Sequence, residues 1–235
     1  MLGVPPQNPS ANTPTAHQPR NAQVMLDAVS SQWGGHGDLW IFAYASLIWR
    51  PEFEFAESRF ATIRGYHRAL KMWSKVNRGT PEYPGLVFGL LQGGSCKGMV
   101  FRIAQQQVAG ALPALWEREM PNGVYDPKWL QCQTVVDGQP ESVRALAFTL
   151  SKRSPNHTGV LSGETYRQIF LNARGRYGTT LDYAQLTHDK LQDLGIQDIA
   201  LGKLLALATA PADCARPNDH LATTGDQPAQ GAGNS

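Results

Sequence analysis

The sequence predicts an α+β fold, a curved or barrel-like mixed sheet with packed helices, and three features carry that expectation. Apolar runs of strand length fill the first two-thirds of the chain, helix-period patterns fill the last third, and both ends have a different composition from the middle. With 235 residues, 42% of them hydrophobic, the chain can bury one good-sized core. Residues 1–36 and 211–235 are rich in Pro, Asn, Gln, Ala and Thr and cannot bury enough apolar surface to offset their ordering entropy. Both are therefore expected to be disordered tails around one domain at 37–210.

Within that domain, "LWIFAYASLIW" (39–49) is an apolar, aromatic run that reads as a buried strand ending in small residues. "FATIRGYHRALKMWSKV" (60–76) reads as one or two further strands. "LVFGLLQGGSCKGMVFRI" (86–103) reads as two strands around a Gly-Gly-Ser turn, and "TVVDGQPESVRALAFTL" (134–150) as a hairpin around Asp137-Gly138. In the last third, Ser162 can cap a helix with Tyr166, Ile169, Phe170 and Ala173 at i, i+3, i+4 and i+7, ending near Gly175. Thr179 or Thr180 can start a second helix that stops at Gly195, and Asp198 can cap a third. No internal repeat is visible.

Composition excludes several classes. The 21 basic and 19 acidic side chains are interspersed, which leaves no cationic footprint for nucleic acid. No apolar stretch is long enough to span a membrane, and the N-terminus lacks the apolar run of a secretory signal. Cys96, Cys132 and Cys214 are odd in number and far apart, which suits a reducing compartment, so a cytoplasmic location is expected. The six histidines show no H-E-x-x-H or other paired spacing, so no metal is expected. The glycines at 85, 89, 93 and 94 form neither a dinucleotide fingerprint nor a P-loop, so no cofactor is expected. Asn156-His157-Thr158 fits a glycosylation acceptor but has no secretory signal to make it relevant.

The segment "LWEREM" (115–120) holds two glutamates of unequal interest. A helix over about 105–120, begun or kinked by Pro113, puts Val108, Ala111, Leu112, Leu115 and Glu119 on one face, because each residue advances about 100°. Glu117 falls on the opposite, solvated side. A carboxylate on an apolar stripe has two readings. It is either half of an ion pair with a partner such as Arg102 or Arg118, or a functional base whose pKa is raised by desolvation. Geometry alone favours the pair. Beside it stands Tyr44-Ala45-Ser46-Leu47, where small residues at a strand end let the backbone turn and offer successive N–H groups to an anion.

These residues resemble the ChaC-type glutathione-specific γ-glutamylcyclotransferases, whose strand-to-loop signature is Tyr-Gly-Ser-Leu followed by Ile-Trp; this chain reads Tyr44-Ala45-Ser46-Leu47-Ile48-Trp49. Further matches are "RGY" at 64–66, "RGTPEYPGLV" at 78–87, "GGSCKGMVFR" at 93–102, "REM" at 118–120, "GVY" at 123–125 and "GTTLDY" at 178–183, spanning about 38–208 in the family's order. The resemblance implies a γ-glutamylcyclotransferase-like fold and an enzyme, a lyase that cleaves glutathione into 5-oxoproline and cysteinylglycine. It implies Glu119 as the catalytic residue, the one chosen independently by periodicity, and a γ-glutamyl site lined by Tyr44, Ala45, Ser46 and Leu47, with Tyr125 and Tyr183 near it. Ala45 departs from the family's glycine, and if that position needs positive φ its Cβ costs about 1 kcal/mol.

The residue types suit that chemistry. The substrate's own α-amine attacks its γ-carbonyl, so no serine or cysteine nucleophile is required, and one carboxylate can take a proton from the ammonium and return it to the leaving nitrogen. Ser46 as a nucleophile with His67 or His157 as base is disfavoured by the absence of a G-x-S-x-G elbow. Arg78, in a loop, can meet the terminal carboxylate of glutathione, or can simply pair with Glu82 on the surface. Two other functions stay open: a non-catalytic anion-binding or regulatory module with Glu119 in a structural ion pair, and a cyclotransferase for other γ-glutamyl amines.

Overall fold

The computed structural model describes residues 20–121 and 123–209. Five strands close into a barrel: β1 (Leu39–Ala43), β2 (Glu57–Ser74), β3 (Gly85–Ile103), β4 (Asp126–Val136) and β5 (Gln139–Thr149), in the order β1-β3-β2-β4-β5. Neighbours in that order are antiparallel, and the barrel closes through parallel pairing of β5 with β1, at Trp40↔Ala145 and Ile41↔Leu146, and with β3 at Leu90↔Thr149. The β4–β5 turn is the expected hairpin. Asp137 and Gly138 both take positive φ, 49° and 77°, as a tight two-residue turn requires.

Two strand expectations change. The run 39–49 is strand only to Ala43; Ser46–Trp49 turns into a short helix, α2, since Ile48 and Arg50 N–H groups bond back to Ala45 and Ser46 carbonyls. The Gly-Gly-Ser segment does not reverse the chain, and β3 runs through it as one strand. Gly93 and Gly94 adopt φ of 107° and 72° and insert one extra residue opposite β2, where Arg64 pairs with Ser95 and Tyr66 with Gln92. A glycine pair that supplies positive φ makes a β-bulge as readily as a hairpin, and here the long partner strand decides for the bulge.

The helices of the last third form where expected: α4 (Gly163–Asn172) behind Ser162, α5 (Thr180–Asp193) behind Thr179 with a full capping box, and α6 (Ile199–Thr209), whose Leu201 N–H bonds the Asp198 carboxylate at 3.0 Å. A two-stranded ribbon, Arg174–Gly175 with Gly178–Thr179, links α4 to α5. Residues 1–36 are not all tail. Ala22–Trp33 is a helix, α1, capped by the Asn21 side chain on the Gln23 and Val24 N–H groups, with Val29 buried and the Trp116 indole donating to the Ala22 carbonyl at 2.8 Å. Met25, Leu26, Val29 and Trp33 supply an apolar stripe that averaging over a polar segment hides. The remainder of both expected tails, with Cys214, lies outside the described residues.

The sheet feeds two cores, because successive strand side chains point to opposite faces. On β5, Val143, Ala145 and Ala147 join one core with Phe42, Phe88, Tyr166, Phe170 and Tyr183, beneath α4, α5 and α6. Leu146 and Phe148, with Leu150 just past the strand, join the other with Ile41, Phe101 and Trp116, beneath α1 and the helix α3 (Gln105–Glu119). β1 contributes to both, which accounts for its unbroken apolar text.

Candidate active site

Helix α3 keeps helical geometry through Pro113 and buries Val108, Leu112, Leu115 and Trp116. Met120, fully buried, ends it by bonding its N–H to the Trp116 carbonyl at 2.7 Å. Glu119 therefore lies on the last turn, on the apolar side, while Glu117 is exposed. The Glu119 side chain retains 14% of its exposure, through the opening of a small pocket whose other walls are Tyr44, Ala45, Ser46, Leu47, Phe88, Tyr125, Phe148 and Tyr183. The pocket sits where the two cores meet: α3 brings the acid from one, α5 brings Tyr183 from the other, and the β1–α2 turn runs between them.

Burial drives the Glu119 pKa above its usual 4.5; the adjacent Arg118 guanidinium opposes the shift and Glu52 reinforces it. The negative end of the α3 dipole acts in the same direction as burial. Burial likewise pushes the Tyr44 and Tyr125 phenols well above their usual range and Tyr183 up to about 12. At neutral pH all three are hydrogen-bond donors and none can serve as a base. Tyr44 donates to the Phe148 carbonyl at 3.0 Å and Tyr125 to the Phe88 carbonyl at 3.2 Å, which fixes both rings against the pocket.

Of the site residues expected from the sequence, Tyr44, Ala45, Ser46, Leu47, Glu119, Tyr125 and Tyr183 are brought together as one lining. Ala45 has φ of −144°, outside the left-handed region, so its Cβ carries no handedness penalty. Arg78 does not line the pocket itself. Its guanidinium lies over the Tyr183 ring, 4.8 Å from the centroid, and donates to the Tyr177 carbonyl. Backbones pack closely around it: a Cβ at Gly175 would stand 2.6 Å from the Arg78 nitrogen, and one at Gly85 only 2.1 Å from the Arg78 oxygen. No ion pair joins Arg78 to Glu82 among the described residues.

Arg68, Phe88 and Phe148 are contributors not singled out by sequence reasoning, and Arg118 is foreseen only as one of two candidate ion-pair partners of Glu119. Arg118, one of the two expected candidate partners of Glu119, is a clamp. It meets Glu119 at 3.1 Å and Glu52 at 2.8 Å, donates to the Arg50 carbonyl, and reaches the Ser46 hydroxyl at 3.4 Å. Arg68 donates to the Tyr44 carbonyl at 2.7 Å while paired at 2.9 Å with Asp198, so α6 and the Tyr44 turn share one buried guanidinium. Phe88 and Phe148 complete the apolar walls. Of the first three, only Phe88 and Phe148 leave a trace in sequence, as large side chains within strand runs; the Arg68 contacts depend on folding. His67 and His157 do not line the pocket with Ser46, so no nucleophile–base pair forms there.

A wider groove of about 700 Å³ crosses β2, β3 and β4 near Phe60, Lys97 and Thr134. Its lining includes no carboxylate and no imidazole, and its titratable side chains are Lys97 and Arg59, so the smaller pocket, which holds a desolvated carboxyl, is the better catalytic candidate. No cluster of metal-ligating side chains occurs among the described residues.

A barrel of this topology, with an enclosed acid facing a Tyr-Ala-Ser-Leu turn, defines the class: residues 39–210 match the model of the ChaC-like protein family, and the chain belongs to that family. It is 35% identical over 169 residues, 72% of each chain, to the glutathione-specific gamma-glutamylcyclotransferase of Escherichia coli (strain K12). It is 33% identical to glutathione-specific gamma-glutamylcyclotransferase 1 of Homo sapiens, over 83% of this chain and 82% of that one. Among solved structures, a gamma-glutamyl cyclotransferase specific to glutathione from yeast has the same fold, with a TM-score of 0.66 at 17% identity over 74% of this chain and 96% of the other.

Proposed function

We propose that this protein is a γ-glutamylcyclotransferase that cleaves glutathione into 5-oxoproline and cysteinylglycine, with Glu119 as general acid and base. The observation that carries the reading is a carboxyl group desolvated at the meeting of two cores, facing three neutral phenols and a strand-end turn. The names of the E. coli and human relatives supply the substrate.

In this reading the γ-glutamyl α-amine attacks the γ-carbonyl of the same residue. Tethering supplies the proximity, and the pocket has to hold the folded-back conformer. The ionised Glu119 carboxylate accepts one proton from the α-ammonium, the freed amine closes the five-membered ring, and the same carboxyl passes that proton to the departing amide nitrogen; the second proton shed by the ring nitrogen ends on the released amine, which departs as an ammonium. Ser46 and the first N–H groups of α2, which like those of any helix start have no carbonyl a turn earlier, serve the α-carboxylate or the developing oxyanion. Tyr44, Tyr125 and Tyr183 donate rather than accept. The enclosed space is about 20 Å³, enough for a water but not for a γ-glutamyl group, so substrate entry requires the walls to part.

Ala45, with φ of −144°, does not require a glycine, which removes one ground for a non-catalytic module; the other, an ion pair at Glu119, is present as the 3.1 Å contact with Arg118, and product release separates the two readings. The catalytic unit is residues 37–210 together with α1. Two free, buried thiols, Cys96 and Cys132, support a reducing, cytoplasmic location. No helix among the described residues is long and apolar enough to cross a membrane.

The deciding experiment is 5-oxoproline release from glutathione by the wild type and by Glu119→Gln. Loss of general acid–base catalysis lowers kcat by about 10²- to 10⁴-fold. Glu117→Gln, on the exposed side of α3, leaves turnover unchanged, and full activity of Glu119→Gln would refute the assignment.

A further inference from the structure

Two residues other than glycine take positive φ among the described residues, Asp137 in the β4–β5 turn and Glu52 at 55°. The hairpin accounts for Asp137. Glu52 lies in an irregular stretch between α2 and β2, and a left-handed backbone that carries a Cβ persists only where its surroundings over-determine it. Both flanks of Glu52 are pinned. Phe53 and Phe55 set their rings edge-on to Phe101, 5.9 and 4.8 Å between centroids, and Glu54 accepts from the Gln107 amide at 2.6 Å. On the other flank the Arg50 N–H bonds the Ser46 carbonyl at 2.8 Å.

So held, Glu52 brings its carboxylate to the end of α3, 2.8 Å from Arg118, while Arg50 takes its other oxygen. Arg118 is thereby divided. Its Nε faces Glu119 at 3.1 Å, Nη1 faces Glu52 and the Arg50 carbonyl, and Nη2 reaches the Ser46 hydroxyl at 3.4 Å. Two carboxylates share one cation. The other titratable groups facing Glu119 are the phenols of Tyr44, Tyr125 and Tyr183, all neutral at physiological pH, with Arg78 behind the Tyr183 ring. A guanidinium facing a single carboxylate favours its ionised form, and an acid held firmly ionised is a weak base toward an ammonium.

We propose that Glu52 is a positioning residue for the reaction: by occupying one edge of the Arg118 guanidinium it keeps Glu119 from being locked as an anion, so that the same carboxyl can both accept the proton and give it up. This rests on the cyclotransferase reading above and adds to it the group that sets the strength of the base. The left-handed backbone at Glu52 is then strain retained at a functional position, since it aims a carboxylate outside the pocket at the one cation inside it. Glu52 touches no pocket wall other than through Arg118 and acts only by what it does to that side chain.

The test follows kcat/KM for glutathione against pH, by 5-oxoproline release, in wild type, Glu52→Gln and Glu52→Asp. Glutamine keeps the length of the side chain and removes its charge, so Arg118 acts on Glu119 alone. The acid limb of the profile then moves to lower pH by about half a unit or more, a modest shift because water screens the partly exposed Glu52, and the loss of rate at neutral pH falls on kcat rather than on KM. Glu52→Asp keeps the charge and returns the limb to its wild-type position. A limb that stays in place in Glu52→Gln, or that moves as far in Glu52→Asp, overturns the proposal. The same titration is read without substrate by carboxyl NMR on glutamate-labelled protein, where the Glu119 signal is the one absent from Glu119→Gln. If the wild type releases no 5-oxoproline, the cyclotransferase reading falls, and the NMR titration still decides whether Glu52 tunes that carboxyl: a Glu119 signal that titrates alike in wild type and Glu52→Gln overturns it.

Discussion

Glu119 carries two opposed demands, since the burial that makes it a better base also makes its ionised form costly. Two predictions separate them. In the proposed mechanism catalysis needs the carboxylate, so kcat/KM is expected to fall as pH drops through the Glu119 pKa, with the acid limb of the profile above the ordinary 4.5. Stability runs the other way. A carboxyl whose pKa is raised by folding contributes stability that is present below its unfolded pKa and lost as pH rises through its folded pKa. Glu119→Gln removes that loss, so its Tm relative to wild type becomes more favourable in thermal scans as pH rises from below 4.5 toward neutrality. Arg118 is not orphaned by the change, because Glu52 and the Arg50 carbonyl still hold it. The acid itself was legible because a 100° repeat fixes which helix face a residue shares. Of the clamp only the Arg118–Glu119 pair was foreshadowed, as one of two candidates; its other partners, at 46, 50 and 52, are distant in the chain and meet Arg118 only on folding.

Local chemistry decided the elements best where it was strongest. Asp137-Gly138, Ser162, Thr179 and Asp198 each did what turn or cap residues do, since their side chains or glycine φ act within a few positions. The Gly93-Gly94 pair misled because positive φ is compatible with a bulge or a reversal, and only pairing with β2 chooses between them. Helix α1 was lost in the polar composition around it, although Asn21 and the stripe from Met25 to Trp33 were in the text. At this scale the 174–179 ribbon makes a direct prediction. A methyl at residue 175 would stand 2.5 Å from the Val76 carbonyl oxygen and the Gly79 nitrogen, so the ribbon must separate from the loop that carries Arg78. Gly175→Ala is expected to cost about 1–3 kcal/mol in urea unfolding while the rest of the sheet stays intact.

For the molecule as a whole, the closed barrel was legible as fold class but not as pairing order, since contacts such as β1 beside β5 join residues far apart in the chain. The Arg68–Asp198 pair shows what that closure holds. It connects β2, the Tyr44 turn and the start of α6, with side-chain exposures of only 5% and 15%. Asp198→Ala leaves a buried guanidinium without its partner and frees the α6 N-terminus. It is expected to cost about 3–5 kcal/mol, seen as a lower urea midpoint at unchanged slope.

In the proposed mechanism, the placement of the pocket at the seam of two cores gives turnover an unusual sensitivity. The acid is anchored in one hydrophobic mass and Tyr183 in the other, so the reaction works as a coincidence detector that fires only while both halves keep their mutual alignment. A substitution that loosens either half, however remote from any substrate atom, dims the enzyme before the chain melts.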